Sequence, residues 1–314
     1  MKLKSVGVNL KKKKLRWRKI IPVYMLLLPG LVYLIINNYM PMFGIVIAFK
    51  KLNFKKGIFG SEWIGLDNFE FLFTSGNAWI MTRNTILYNV VFIILGIIIP
   101  ITVAILLNEV RQKFASRIYQ TLVLLPYLMS WVVISYLAYS FLNLESGFIN
   151  KSILEPLGFK SINFYQDSTW WPLILTVVNQ WKSLGFGMII YLASVIGIDG
   201  EYYEAAKIDG ASKWNQIRFI TLPCLKPTII TMFVLNMGRM FYSDFGLFYQ
   251  VPKNSGMLYN VTMTIDTYVY NALMGQNNYG MSAAASVFQS FVGFSLIILA
   301  NGVIRKISRE NAMF

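Results

Sequence analysis

Histidine is absent from this 314-residue chain, and Cys224 is its single cysteine. Without imidazole there is no Ser-His-Asp chemistry, no common zinc site and no histidine proton relay. A lone cysteine rules out an intrachain disulfide and a cysteine metal cluster. Charge is also scarce: Asp, Glu, Lys and Arg together make up 14% of the residues, where a soluble domain carries about a quarter. No G-x-x-x-x-G-K-[ST] phosphate loop occurs anywhere, so ATP hydrolysis by that chemistry lies outside the chain. Tandem repeats and low-complexity linkers are missing as well.

Long apolar runs fill the space left by charge. Residues Ile20 to Phe49, Asn84 to Asn108, Ile118 to Leu144 and Thr267 to Ile304 contain no charged side chain. Roughly 20 apolar residues of helix cross a bilayer core, so each run holds a span. Two further spans are interrupted by single charges: Trp170 to Ile198 by Lys182, and Pro227 to Gln250 by Arg239 and Asp244. The runs lack the alternation of a barrel strand. The reading is an all-α, polytopic integral membrane protein with six transmembrane helices. They are expected near Ile20–Ile36, Thr85–Asn108, Tyr119–Leu142, Trp171–Ile196, from just after Leu222-Pro223, and over Ala283–Ile304.

The basic excess, 29 Lys and Arg against 14 Asp and Glu, is unevenly placed. Six spans put the 1–19 tail, 109–117, 197–226 and 305–314 on one side, where 19 basic residues lie, against eight in 50–83, 145–169 and 251–282. Positive charge accumulates in the cytoplasm, which places both termini and segment 197–226 there. The tail reads as a topology determinant touching membrane lipid, not nucleic acid. The apolar stretch after it is too long for a signal peptide and no small-residue cleavage site follows. The chain therefore divides into a basic cytoplasmic tail (1–19) and a single transmembrane domain (20–314) with a cytoplasmic loop at about 197–223.

That loop carries the most specific signal. Glu204-Ala205-Ala206, three residues, Gly210, nine residues, then Ile220-x-Leu222-Pro223 forms a spaced pattern on a polar island between apolar segments. Asp199 is placed to cap a short helix, with Glu201 and Glu204 near its positive end. Ala205 and Ala206 leave a low-relief face that another protein can approach. Asp209-Gly210 stops the helix. A second helix is expected from Ser212, with Trp214, Ile217 and Ile220 or Thr221 on one side, ended by Leu222-Pro223. The plain alternative is an interfacial loop that happens to be helical.

With these residues in place, the chain resembles a permease subunit of a type I binding-protein-dependent ABC importer, in the carbohydrate-uptake branch. Tyr203 to Ala211 has that branch's form of the motif. Tyr39-x-Pro41 with Gly44, Ile47-Ala48-Phe49-Lys50, and Ile265-Asp266-Thr267-Tyr268-Val269-Tyr270 resemble a subgroup associated with complex saccharides. The resemblance implies that Glu204, Ala205, Ala206, Gly210, Leu222 and Pro223 form the element that docks on a separate ATPase. It implies further a second homologous permease, paired ATPase subunits that hold the ATP and Mg, an extracytoplasmic solute-binding protein, and a bacterial cytoplasmic membrane. This chain binds no cofactor or metal and is not itself an enzyme. Gly238 to Asp244 matches no subgroup pattern, so the sugar stays open.

Polar groups inside spans mark candidate contacts with a saccharide, because intramembrane charge is costly and faces a cavity or a partner. They are Asn179, Trp181 and Lys182 in helix four, and Asn236, Arg239, Tyr242 and Asp244 in helix five. Amides and rings of this kind hold sugars by hydrogen bonds and stacking, and Arg239 or Lys182 would favour an acidic sugar such as a uronate. Arg239 and Asp244 are five residues apart, poorly placed to pair within one helix. The alternative function is a self-contained ion-coupled secondary transporter or channel. It lacks support in twofold repeats and has only Asp244 as a coupling carboxylate.

Overall fold

The computed structural model describes residues 17–307. The expected basic tail therefore falls, in residues 1–16, outside the described residues, as does 308–314. The chain separates into two compact units, residues 1–46 and 47–314.

In the first unit, helix α1 (Trp17–Leu34) is apolar on every side from Ile20 onward, as a helix bathed in lipid is. It passes through a π-turn, Ile35–Tyr39, and a helical turn, Met40–Met42. A 3-10 stretch, Phe43–Phe49, leads into the second unit, so the short apolar run after Pro41 extends the helix.

The second unit opens with a two-residue antiparallel pair, Lys50–Lys51 against Glu62–Trp63. Helix α2 (Asp67–Thr74) follows. Asn68 donates from Nδ2 to the carbonyls of Ala48 (2.9 Å) and Lys50 (3.1 Å), satisfying the irregular backbone there. Helix α3 spans Asn77–Asn108 and starts eight residues before the apolar pattern does. Arg83, the charge that hid this first part, donates to the Asn260 carbonyl at 2.6 Å.

Helix α3 threads three apolar clusters, through Met81, then Tyr88, then Ile101 with Ala104. At 1.5 Å per residue its 32 residues extend about 48 Å, past the bilayer core. Helix α6 (Trp171–Ile196) lies against it and has the bounds that the sequence predicts. Glycine permits the closest approaches: a Cβ on Gly185 would stand 2.6 Å from the Leu124 backbone, and one on Gly187 3.0 Å from the Pro100 ring. Helix α9 (Tyr279–Ile307) closes the domain. Among the described residues, five helices are long and apolar enough to cross a membrane, or six if one bent pair counts as a span.

That bent pair corrects the expectation for helix three. Instead of one helix over Tyr119–Leu142, α4 (Lys113–Leu128) and α5 (Trp131–Leu142) meet at 99°. Met129 and Ser130 are extended between them. Ser130 restarts the chain, accepting at Oγ from the Val133 N–H at 3.4 Å. Helix five is corrected at both ends. It begins at Lys213 and runs unbroken to Met237, so Leu222-Pro223 does not end a helix. The π-turn Ile217–Thr221 widens the coil just before Pro223, where a tight α-turn would set its ring against the Phe219 carbonyl. Helix α8 (Leu222–Met237) then stops, Gly238 to Asp244 is not helical, and a π-turn resumes at Gly246–Gln250.

Candidate functional site

Two regions hold the residues that the sequence singles out. On the polar island, helix α7 (Gly200–Ile208) is capped by Asp199, whose carboxylate accepts from the Glu201 N–H at 3.0 Å. Its C-terminus is a complete Schellman motif. The Ala211 N–H bonds to the Ala206 carbonyl at 2.8 Å and the Gly210 N–H to the Lys207 carbonyl at 3.1 Å. Gly210 has φ +74°, a left-handed conformation that costs other residues about 1–2 kcal/mol. Ser212 caps the next helix through the Asn215 N–H at 3.3 Å. Two side-chain contacts brace the loop. Tyr203 Oη lies 2.9 Å from Thr221 Oγ1, and Lys213 Nζ pairs with the Glu109 carboxylate at 2.7 Å. Glu204 and Ala205 are exposed and Ala206 half-buried. Around them Tyr202, Ile208 and Trp214 stand free, Ile208 at 87% exposure. The loop thus combines a braced frame with exposed apolar side chains.

The second region is a cavity of about 440 Å³ between α3, α6 and α8. Five of the seven predicted path residues line it: Asn179 from α6, Asn236 from α8, and Arg239, Tyr242 and Asp244 from the non-helical stretch beyond. The same wall includes Asn89 and Ser183, which the search for intramembrane charge passed over. Single polar residues in apolar helices were the available signal.

Arg239 and Asp244 do not pair, but the helical spacing is not why, because the helix ends at Met237. Among the described residues the Arg239 side chain makes no hydrogen bond or ion pair. Asp244 accepts from Trp131 Nε1 at 2.9 Å and from the Leu247 N–H at 3.3 Å. The cavity thus has one uncommitted cation.

Trp181 and Lys182 do not line this space. Trp181 is 42% exposed. Lys182 serves the break in helix three: its Nζ donates to the carbonyls of Met129 (2.6 Å), Tyr127 (3.0 Å) and Pro126 (3.5 Å). Those acceptors sit at a helix C-terminus, where the last carbonyls lack an intrahelical partner and a cation meets the negative end of the dipole; Pro126 also accepts from the Met129 N–H at 3.2 Å. The ammonium lies 5.1 Å from the Trp131 ring centroid as well.

The break in helix five is held from three sides. Asn89 Nδ2 donates to the Tyr242 carbonyl at 3.1 Å, and Gln289 Nε2 to the Phe241 carbonyl at 3.0 Å. The Ser243 N–H donates to Asp266 Oδ2 at 2.7 Å. The two breaks meet where Trp131 bonds Asp244. Non-helical backbone at membrane depth is tolerated where protein or a water-filled cavity satisfies it. Here both do. No group of three or more metal-ligating side chains occurs among the described residues.

A polar-lined cavity at paired helix breaks, among helices long and apolar enough to cross a membrane, fits a membrane transport subunit. Residues 96–309 match the family "Binding-protein-dependent transport system inner membrane component", and the chain belongs to that family. Similar curated proteins include the polygalacturonan/rhamnogalacturonan transport system permease protein YteP of Bacillus subtilis, 37% identical, covering 92% of this chain and 89% of that protein. The lactose transport system permease protein LacF of Rhizobium radiobacter is 31% identical over 67% of this chain and 70% of its own length. Among solved structures, a bacterial ABC transporter involved in the import of the acidic polysaccharide alginate superposes with a TM-score of 0.84 at 31% identity. It covers 93% of this chain and 98% of its own. The chain is a multi-pass permease subunit of an ABC importer, and ATP is hydrolysed on a separate subunit.

Proposed function

We propose that the chain forms half of the membrane path of a saccharide importer in a bacterial cytoplasmic membrane. A second, homologous permease forms the other half. It crosses the bilayer six times with both termini in the cytoplasm, as a single transmembrane domain (20–314) behind a basic tail (1–19). A pair of ATPase subunits, which hold ATP and Mg, docks on the loop at about 197–223. Glu204, Ala205, Ala206, Gly210, Leu222 and Pro223 belong to that docking element. An extracytoplasmic binding protein delivers the ligand. The observation that carries the saccharide reading is the 440 Å³ cavity, with Asn89, Asn179, Asn236 and Tyr242 converging on it from an otherwise apolar bundle. Amides and a phenol in that arrangement suit hydroxyl-rich rings.

Arg239 favours a carboxylated substrate, because an exposed guanidinium on a cavity wall, with no carboxylate partner of its own among the described residues, presents a planar fork of donors that matches an anion. Relatives named for polygalacturonan and alginate support that preference, and the relative named for lactose shows that the family also serves neutral sugars. Reconstitution with the ATPase and binding protein tests both readings. ATP-driven uptake of oligogalacturonate is expected, and it should fall in Arg239→Gln by about tenfold or more in Vmax/KM. Equal and unchanged uptake of acidic and neutral sugars in that variant would remove the acidic preference. Uptake of solute without ATP would restore the secondary transporter.

A further inference from the structure

A second cavity, of about 300 Å³, lies beyond the Trp131–Asp244 contact. It is separate from the central one and shares no residue with it. Tyr136 of α5, Tyr249 and Gln250 of the π-turn, and Lys253 with Asn254 after it form the polar part of its wall. Ser135 fastens the two sides, donating from Oγ to the Gln250 carbonyl at 2.6 Å. Residue 135 stands one helical turn, about 6 Å, beyond residue 131, so this cavity continues the line of the first.

Its backbone is unusual. Lys253 and Asn254 are consecutive non-glycine residues at φ +53° and +48°, a conformation that persists only when the surroundings enforce it. They do so at Asn254, whose side chain exchanges hydrogen bonds with Asn271 at 3.1 and 3.0 Å and accepts from Tyr259 Oη at 3.1 Å. The strained pair holds the Lys253 ammonium 3.3 Å from the Tyr139 ring centroid and 5.5 Å from that of Tyr136. No acidic residue lines the cavity, and Lys253 has no carboxylate partner among the described residues. Tyr136 is 65% exposed, a ring face open to stacking.

From this geometry we infer a saccharide subsite in which Lys253 binds a sugar carboxylate, the Tyr136 face stacks on the ring, and Gln250 takes hydroxyls. The cavity volume is at the lower end for small-molecule sites and suits a sugar unit, not a polymer. Its placement on the extracytoplasmic side, ahead of the central cavity, rests on the topology proposed above. A uronate-bearing chain would meet Lys253 first and Arg239 next.

Lysine footprinting on the assembled transporter, in phosphatidylcholine nanodiscs, tests this directly. A limiting amine reagent is applied with trigalacturonate or maltotriose, and modification of Lys253 is followed by peptide mass spectrometry. Trigalacturonate is expected to slow modification several-fold and maltotriose not to; Tyr136→Ala should weaken the protection while the complex still assembles. In uptake, Lys253→Gln should raise the KM for trigalacturonate several-fold with the maximal rate kept. Equal protection by both sugars, no protection, or protection only on adding phosphatidylglycerol overturns the subsite. Uptake with no protection removes the subsite and leaves the importer reading; protection with no ATP-driven uptake removes that reading and leaves the subsite.

Discussion

Lys182 shows how little a charge inside a span says about its task until its neighbours are known. Its three carbonyl partners lie at the end of a helix that stops in mid-chain, on Pro126 and Tyr127 of its last turn and on Met129 just beyond. Lys182→Met keeps the stem and removes the donors. Pro126 keeps its bond from the Met129 N–H and Tyr127 is exposed, so the loss falls mainly on the half-buried Met129 carbonyl, where a fully buried acceptor without a partner would cost about 1–3 kcal/mol. The expected outcome is a lower Tm in detergent, partly recovered by Lys182→Arg, read by a scanning fluorescence melt. Gly246 makes a steric counterpart. A Cβ there would lie 2.0 Å from Trp131 Cδ1, so Gly246→Ala must push the indole away from Asp244. Overpacking of this kind costs about 1–3 kcal/mol, and altered Trp fluorescence with a lowered Tm is expected.

At the scale of elements, legibility followed the range of the interactions that set each boundary. Helix α6 was read to the residue because Pro172 opens it and Gly197 closes it, both local signals. The α7 helix with its Asp199 cap and Gly210 stop was equally plain, since caps are written within a few residues. The breaks after Leu128 and Met237 were not. Ser130 and Gly238 hint at them, but what stabilises them is distant: Lys182 for one, and Asn89, Asp266 and Gln289 for the other. The likeness noted around Asp266 therefore has a structural basis that sequence spacing does not reveal. In the candidate site, the polar residues were visible one by one, while the separation of Lys182 from Asn179 and Arg239 needed the fold. The turn at Gly210 makes the prediction that belongs here. Proline cannot adopt φ +74°, the value at Gly210. Gly210→Pro is expected to assemble yet lose most ATP-driven uptake, measured by co-purification beside transport. Normal uptake would count against the docking role.

For the whole molecule, Tyr202, Ile208 and Trp214, standing free on the polar island, are the apolar side chains that the docking proposed above would cover. Affinity purification in mild detergent should bring down an ATPase and a second permease. Trp214→Glu should reduce the recovered ATPase while leaving permease pairing intact, as quantified by mass spectrometry. A lone protein or homo-oligomer that moves solute without ATP would reverse the assignment.

The ion pair between Lys213 and Glu109 takes on a mechanical meaning beside the length of α3. Glu109 caps the C-terminal end of that helix, which runs about 48 Å through all three apolar clusters and along the central cavity. Exposed pairs of this kind are worth less than about 1 kcal/mol. The joint is therefore a slipping clutch rather than a weld. If the ATPase docks on the loop as proposed above, a push there would reach the far end of a stiff lever, and an excessive one would let go at a point that re-engages without damage.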